Sequence, residues 1–168
     1  NRIGGLAEHL VSDVGLTGQD ALDALRAAKL CKADLVTSAV IEFTSVQGVM
    51  GSYYALDSGE TSQVAQAIEQ HYRPRFAGDE VPETLVGKVV ALDTICGLFA
   101  VNQGPSGSSD PFALRRSAIG IVAILSGDNP LPISLISAID ASLDLYAKAG
   151  IQFDATAVRS EVIDFFIT

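Results

Sequence analysis

Apolar residues recur along this chain at three- and four-residue intervals, and no segment sustains the period-two alternation of a half-buried strand. The pattern predicts an all-α fold. A first short helix is expected over 3–11, ending near Ser12-Asp13, with Gly15 and Gly18 framing the turn that follows. Thr17 opens a second helix, where Asp20 three residues on makes an approximate capping box. Ala21, Leu22, Leu25, Ala28, Cys31 and Leu35 fall at helical spacing along it. The run Gln47-Gly48-Val49-Met50-Gly51 then places two glycines three apart in an apolar segment. In a helix each costs roughly 1 kcal/mol relative to Ala, so close approach of another helix is the expected compensation.

Asp57-Ser58-Gly59-Glu60 marks a turn into a helix carrying Val64, Ile68 and Tyr72 one turn apart, and Pro74 ends it. A helix over 85–99 and a flexible loop over 102–109 lead to the central element. There Asp110 stands as N-cap and Pro111 at the first helical position, and the residues after Arg116 are apolar or glycine almost all round, as in a core helix covered on most faces. Gly127-Asp128-Asn129-Pro130-Leu131-Pro132 closes it, and two more helices are expected over 134–148 and from Asp154 to the end.

Composition adds a demand for neighbours. The 168 residues are 48% hydrophobic, with a mean hydropathy of +0.33, yet no run approaches the roughly 20 apolar residues of a membrane span. Excess apolar surface meant for other protein is the expectation. The chain opens on Asn1-Arg2-Ile3 without an initiator Met or signal pattern and closes on Phe165-Phe166-Ile167-Thr168 in a helical pattern, so both ends read as cut. Cys31 and Cys96 make neither a metal-ligand spacing nor a disulfide framework, which fits a reducing cytosol or organelle interior, and a cytoplasmic location is expected.

A formal net charge of -9 argues against strong unaided nucleic-acid binding, because affinity for phosphate comes largely from Lys and Arg. The cations are unevenly placed, however. Arg26, Lys29 and Lys32 fall three apart as a stripe, which is most often a solvated face and otherwise a phosphate-facing one. Arg73 and Arg75 flank Pro74 in what should be a fixed, exposed loop. Arg115 and Arg116 sit early in the central helix, where the macrodipole disfavours cations by about 0.3–1 kcal/mol each unless something negative is near. Carboxylates from neighbouring helices and phosphate both qualify, and twenty acids make the first the simpler supply. Successive helical residues point about 100° apart, so the two arginines should do different work. Arg115 shares a face with Phe112 and Ile119 and is expected to be a partly buried structural ion pair, while Arg116, on another face, is expected to be available to phosphate or other protein.

No phosphate-binding glycine loop, zinc spacing or nucleophile elbow is present. His9 and His71 are the only histidines, and each reads as a surface or capping residue. Ser, His and Asp occur as residue types without an order that implies a triad.

A set of short blocks carries a family resemblance: Lys32-Ala33-Asp34-Leu35-Val36-Thr37, Glu42-Phe43-Thr44, Gln47-Gly48-Val49-Met50-Gly51 with Tyr54-Ala55, Tyr72-Arg73-Pro74-Arg75-Phe76-Ala77-Gly78-Asp79, and Asp110-Pro111-Phe112-Ala113-Leu114-Arg115-Arg116. In order and near spacing, these resemble the β subunit of bacterial-type glycyl-tRNA synthetase. About four residues of that family's pattern are missing before Asp93. The resemblance implies an internal segment of a larger chain folded as a multi-helix bundle like the metal-dependent HD phosphohydrolases, with an HD-like core over 1–126 and a C-terminal helical extension over 127–168 packing on it. HD enzymes hold a divalent ion with a His-Asp pair and a further His and Asp. Here Cys31-Lys32 stands in place of that pair, and an ammonium would lie where the ion belongs. No catalytic or metal-binding residue is therefore expected in this segment.

The implied function is tRNA positioning and scaffolding within an ATP-dependent glycine-tRNA ligase, with ATP and Mg used by the complete enzyme. The implied partners are glycine tRNA, the synthetase α subunit and the rest of the β subunit, and none is a membrane. Arg26, Lys29, Lys32, Arg73, Arg75 and Arg116 are the candidate RNA-binding residues, and Arg115 the structural pair. An HD-type phosphohydrolase that has lost its ligands and a purely structural scaffold are the alternatives. Whether the seven basic residues share one surface discriminates the latter.

Overall fold

The computed structural model describes residues 2–76, 78–91 and 114–167. Among these every regular element is helical: α1 Arg2–Asp13, α2 Gly18–Leu30, a 3-10 turn Ala33–Val36, α3 Ser38–Glu42, a second 3-10 turn Thr44–Val46, α4 Val49–Asp57, α5 Ser62–Gln70, α6 Leu85–Ala91, α7 Leu114–Ser126, α8 Leu135–Lys148 and α9 Ala155–Ile167. The all-α expectation holds for them. The predicted Asp110 cap, Pro111, Phe112, the 102–109 loop, Cys96, Asp93 and the second half of the 85–99 helix lie outside the described residues.

Two apolar clusters hold the bundle. The larger joins α1, α2, α5 and α6 through Leu10, Ala24, Ala27, Ala28, Val64, Ile68, Val86 and Val89, and α8 leans on it with Ala138, Ala141 and Leu145. Full burial of a side chain such as Leu10 or Ile68 contributes about 1.5–3 kcal/mol. Helix α1 meets α8 closely because Gly5 has no side chain. A Cβ there would lie 2.8 Å from Leu145 Cδ2. The smaller cluster, Leu114, Ala118, Ile139, Leu143, Val158 and Val162, ties α7, α8 and α9 together.

Several local expectations need correction. Helix α2 stops at Leu30 instead of running on to Leu35, and its buried face is Asp23, Ala24, Ala27 and Ala28, continued by Cys31 at the C-cap, while Leu22 lies exposed. Small alanines let three helices crowd around α2, and that close packing outweighs the bulk of the leucines. Lys32 therefore lies beyond the helix, and the stripe of Arg26, Lys29 and Lys32 is broken. Thr17 is at the N-cap position but makes no side-chain cap bond, so the predicted capping box does not form. The caps that do form are Thr37, Thr61, Thr84 and Ser134, each accepting from the backbone N–H three residues on, and Asp154, which accepts from Thr156 and Ala157.

Gly48 is not helical. It precedes α4 with φ +79°, a left-handed conformation that glycine adopts without the Cβ penalty. Gly51 is inside α4 and supports the close-packing expectation, since a Cβ would lie 2.9 Å from Ile68 Cγ2 and 3.1 Å from Asp34 Oδ2. Helix α7 is covered on most faces but not all round. Leu114, Ala118, Gly120 and Ile124 are buried, but Arg115, Ile119 and Val122 form an exposed face at i, i+4 and i+7.

Candidate functional site: a cation-lined cavity

The end of α2, the end of α5 and the middle of α7 converge on a cavity of about 500 Å³ whose lining includes Lys32, His71, Tyr72, Arg73, Arg75 and Arg116. The loop after α5 builds one wall. It turns through a cis Arg73-Pro74 bond with Pro74 buried, and α7 reaches it at Gly120, where a Cβ would lie 2.9 Å from the Pro74 carbonyl oxygen. Only glycine permits that approach of helix to loop.

His71 occupies the C-cap of α5, but it is buried, which corrects the surface half of its predicted role. Its Nδ1 lies 2.6 Å from the Ile68 carbonyl oxygen, which can only accept, so Nδ1 carries the proton. Nε2 then presents a lone pair, and Lys32 Nζ donates to it at 2.7 Å. Burial, then the Lys32 charge, pushes the imidazole pKa down to about 3, so this ring stays neutral. The same ammonium lies 3.8 Å from the centroid of the Tyr72 ring, a cation–π contact. Burial, then the charge of Asp34 and then of Cys31, raises the Tyr72 phenol to about 12.

These donors do not suit a divalent ion. The one imidazole nitrogen able to ligate is taken by an ammonium, and among the described residues no three His, Cys, Asp or Glu side chains are grouped to hold a metal.

The other basic residues divide sharply. Arg73 lies half-buried between Glu69, at 3.5 Å, and Glu80, so the predicted exposed loop is partly closed. Arg75 is exposed and grips Asp79 through Nε at 2.8 Å, Nη2 at 3.1 Å and its backbone N–H at 2.8 Å; the guanidinium holds that carboxyl well below the usual carboxylate range. Arg26, outside the cavity, clasps Glu60 with Nε at 3.0 Å and Nη2 at 2.5 Å, tying α2 to the turn before α5. Lys29 is exposed and away from the cavity lining. Arg115 is exposed beside Ile119 and Val122, so its predicted partial burial is not what the structure shows; the shared face was read correctly, but that face points outward. Arg116 is exposed, lines the cavity, and pairs with no carboxylate among the described residues. Four of the seven cations, Lys32, Arg73, Arg75 and Arg116, thus share one concave surface, whereas Arg26, Lys29 and Arg115 lie outside its lining.

Sequence reasoning missed Asp34. It is buried, its Oδ2 accepts the Gly48 N–H at 2.6 Å, and its Oδ1 has no hydrogen-bond partner. The available signal was an acid placed ahead of a Gly-x-x-Gly run, whose first turn offers backbone N–H groups to a carboxylate.

On the far side, α1 and α8 bring His9, Asp13 and Ser137 together, but not as a triad. His9 Nε2 lies 3.0 Å from Ser137 Oγ and 3.3 Å from Asp13 Oδ2, so one nitrogen faces both partners and cannot relay a proton between them. Ser137 Oγ also donates to Asp13 Oδ2 at 3.1 Å, making the group a tether between two helices.

Comparison with known proteins supplies the remaining context. Residues 1–168 match the model of the family described as the glycyl-tRNA synthetase beta subunit. The glycine–tRNA ligase beta subunits of Shewanella sp. (strain W3-18-1) and Shewanella baltica (strain OS185) are each 43% identical to this chain, over 171 and 175 residues, and that of Shewanella sp. (strain ANA-3) is 42% identical over 170. Each alignment covers 99% of this chain and 24% of the relative, so the chain spans about a quarter of their length. Matched from end to end, the chain belongs to the glycyl-tRNA synthetase beta subunit family.

Proposed function

We propose that these residues form a non-catalytic module of a glycine–tRNA ligase β subunit, one that positions glycine tRNA and braces the rest of the assembly. Arg116 carries the RNA part of this reading. It stands on a concave, cation-lined wall with no described carboxylate beside it, which suits a guanidinium that meets phosphate. Lys32, in the same lining, adds charge. The net charge of -9 confines attraction for RNA to such a patch. ATP and Mg act elsewhere in the complete cytoplasmic enzyme, whose α subunit and remaining β-subunit residues are the other partners. The ammonium held by His71 supports the view that no metal-dependent hydrolysis occurs here.

The test is tRNA binding by the complete α/β enzyme across a salt series. Arg116→Ala should weaken binding and lower the magnitude of the log–log salt slope by about one, with folding intact. Lys148→Ala, on exposed α8 surface away from the cavity, should change neither. An Arg116→Ala enzyme with unchanged affinity and slope would remove the RNA contact. The scaffold reading would then stand alone, favoured by Arg26, Arg73 and Arg75, which are all tied to carboxylates within the bundle.

A further inference from the structure

The cation-lined cavity is graded from apolar to polar. Cys31, Val90 and Ile124 line it and are buried, so they form its floor, whereas Ser45, Gln47 and Arg116 line it and are exposed, so they stand at its mouth. Ser45 and Gln47 come from the second 3-10 turn and the residue after it. A volume of about 500 Å³ is that of a small-molecule site, in which apolar surface takes the body of a ligand and a few polar groups fix its orientation. Contact with the backbone of an RNA duplex needs no such recess. A duplex presents phosphates and 2′-hydroxyls on a convex surface and keeps the faces of its bases stacked, so a shallow basic patch would serve it.

The polar groups at the mouth match a nucleotide. The Arg116 guanidinium suits one phosphate. Gln47 carries a donor and an acceptor in one plane, the pattern that reads the edge of a base, and the Ser45 hydroxyl can donate or accept beside it. Among the described residues neither of these two side chains makes a hydrogen bond, so both can turn to a ligand.

We infer that the cavity receives one unpaired nucleotide of the bound tRNA, with its base on the floor of Cys31, Val90 and Ile124, Gln47 at the edge of that base, and its phosphate at Arg116. A nucleotide within a polynucleotide is favoured over a free one because a single exposed guanidinium holds one phosphate weakly in water, whereas the rest of a tRNA supplies affinity of its own. The inference rests on the tRNA-binding reading above and adds to it a specificity-determining residue, Gln47, that is not a cation.

The experiment is footprinting of glycine tRNA on the complete α/β enzyme with reagents that modify the Watson–Crick edges of unpaired bases. The parent is compared with Gln47→Leu, which removes the edge contact, and Ser45→Trp, which fills the cavity, and tRNA affinity is measured for each across a salt series. Both positions are exposed, so the bundle should stay folded, which thermal unfolding checks. The expected result is one unpaired base that the parent protects and that regains reactivity in both variants, with affinity lowered by about tenfold and the salt slope unchanged, since no cation is removed. Protection that is indifferent to both variants, or that no unpaired base shows, overturns the inference. So does saturable binding of free ribonucleoside monophosphate that Ser45→Trp abolishes while the tRNA footprint stays unchanged, because that names a different occupant. The two readings fail separately: an Arg116→Ala enzyme with unaltered affinity and slope removes the RNA contact itself, whereas a slope lowered by about one with no base dependent on Gln47 removes only the inserted nucleotide.

Discussion

Acid should destabilise this bundle through His71 in a pH range where its carboxylates are still charged. The folded-state pKa of about 3 lies below the ordinary 6.5 because burial and the Lys32 ammonium both oppose a second positive charge. The unfolded chain binds a proton near 6.5 and the folded one does not, so between those values the unfolded state carries more protons and stability falls as pH falls. The contribution is fully present above the unfolded value and is lost progressively towards about 3. At about pH 5 the gap from 6.5 is one and a half units, and at 1.36 kcal/mol per unit the loss is about 2 kcal/mol. Urea unfolding of the segment at about pH 7 and about pH 5, in the parent and in His71→Gln, measures it. The glutamine carbonyl can still accept from Lys32 but cannot protonate, so the variant should be less stable at neutral pH yet lose about 2 kcal/mol less on acidification. Equal pH dependence in the two proteins would refute the argument, as would an imidazole nitrogen NMR signal showing the protonated ring at about pH 5.

Lys32→Met should destabilise the fold by about 1–3 kcal/mol in chemical denaturation, because it leaves the buried Nε2 lone pair of His71 without a donor. Elemental analysis of the parent protein, with a nucleotide-hydrolysis assay in Mn²⁺, should find neither stoichiometric metal nor turnover; either finding would mean the ammonium does not displace an ion. Gly51→Leu should lower stability by about 1–3 kcal/mol in thermal unfolding, since its Cβ alone would press on Ile68 and Asp34. Gly48→Ala should cost about the same for another reason, a positive φ combined with a Cβ 3.1 Å from the Tyr72 ring and 3.3 Å from two backbone oxygens.

What the sequence made legible followed from local periodicity, and what it hid depended on distant partners. Helices α1, α5, α8 and α9 lie close to their predicted spans because each has a repeating apolar face and a nearby turn or cap signal. Helix α2 was misjudged in both length and register, since apolar volume points to Leu22 and Leu35 whereas the packing selects alanines. The solvent side of α7 was hidden for a similar reason. Its apolar residues run nearly all round, and only tertiary placement decides that Gly120 goes against Pro74 while Ile119 and Val122 face out. The chemistry of the cavity was further from reach. Lys32 and His71 are 39 residues apart, and Arg26 and Glu60 are 34 apart, so neither pair leaves a trace in any local window. A lone histidine at a helix end reads as a surface cap until the group that buries and fixes it is known.

The distribution of charge accounts for how an acidic segment presents a basic cavity wall. Forty residues without a cation run from Ala33 to Tyr72 and include α5 of the main core, and the residues flanking them, Lys32 before and Arg73 and Arg75 after, line the same cavity. The hydrogen bond from Lys32 to His71 joins the two ends of that stretch. Cations thus cluster at the cavity, while the stretch between them carries the exposed Val36, Phe43, Tyr53 and Leu56. Under the reading proposed above, attraction for phosphate is thus confined to the cavity wall, although the whole segment carries a net charge of -9.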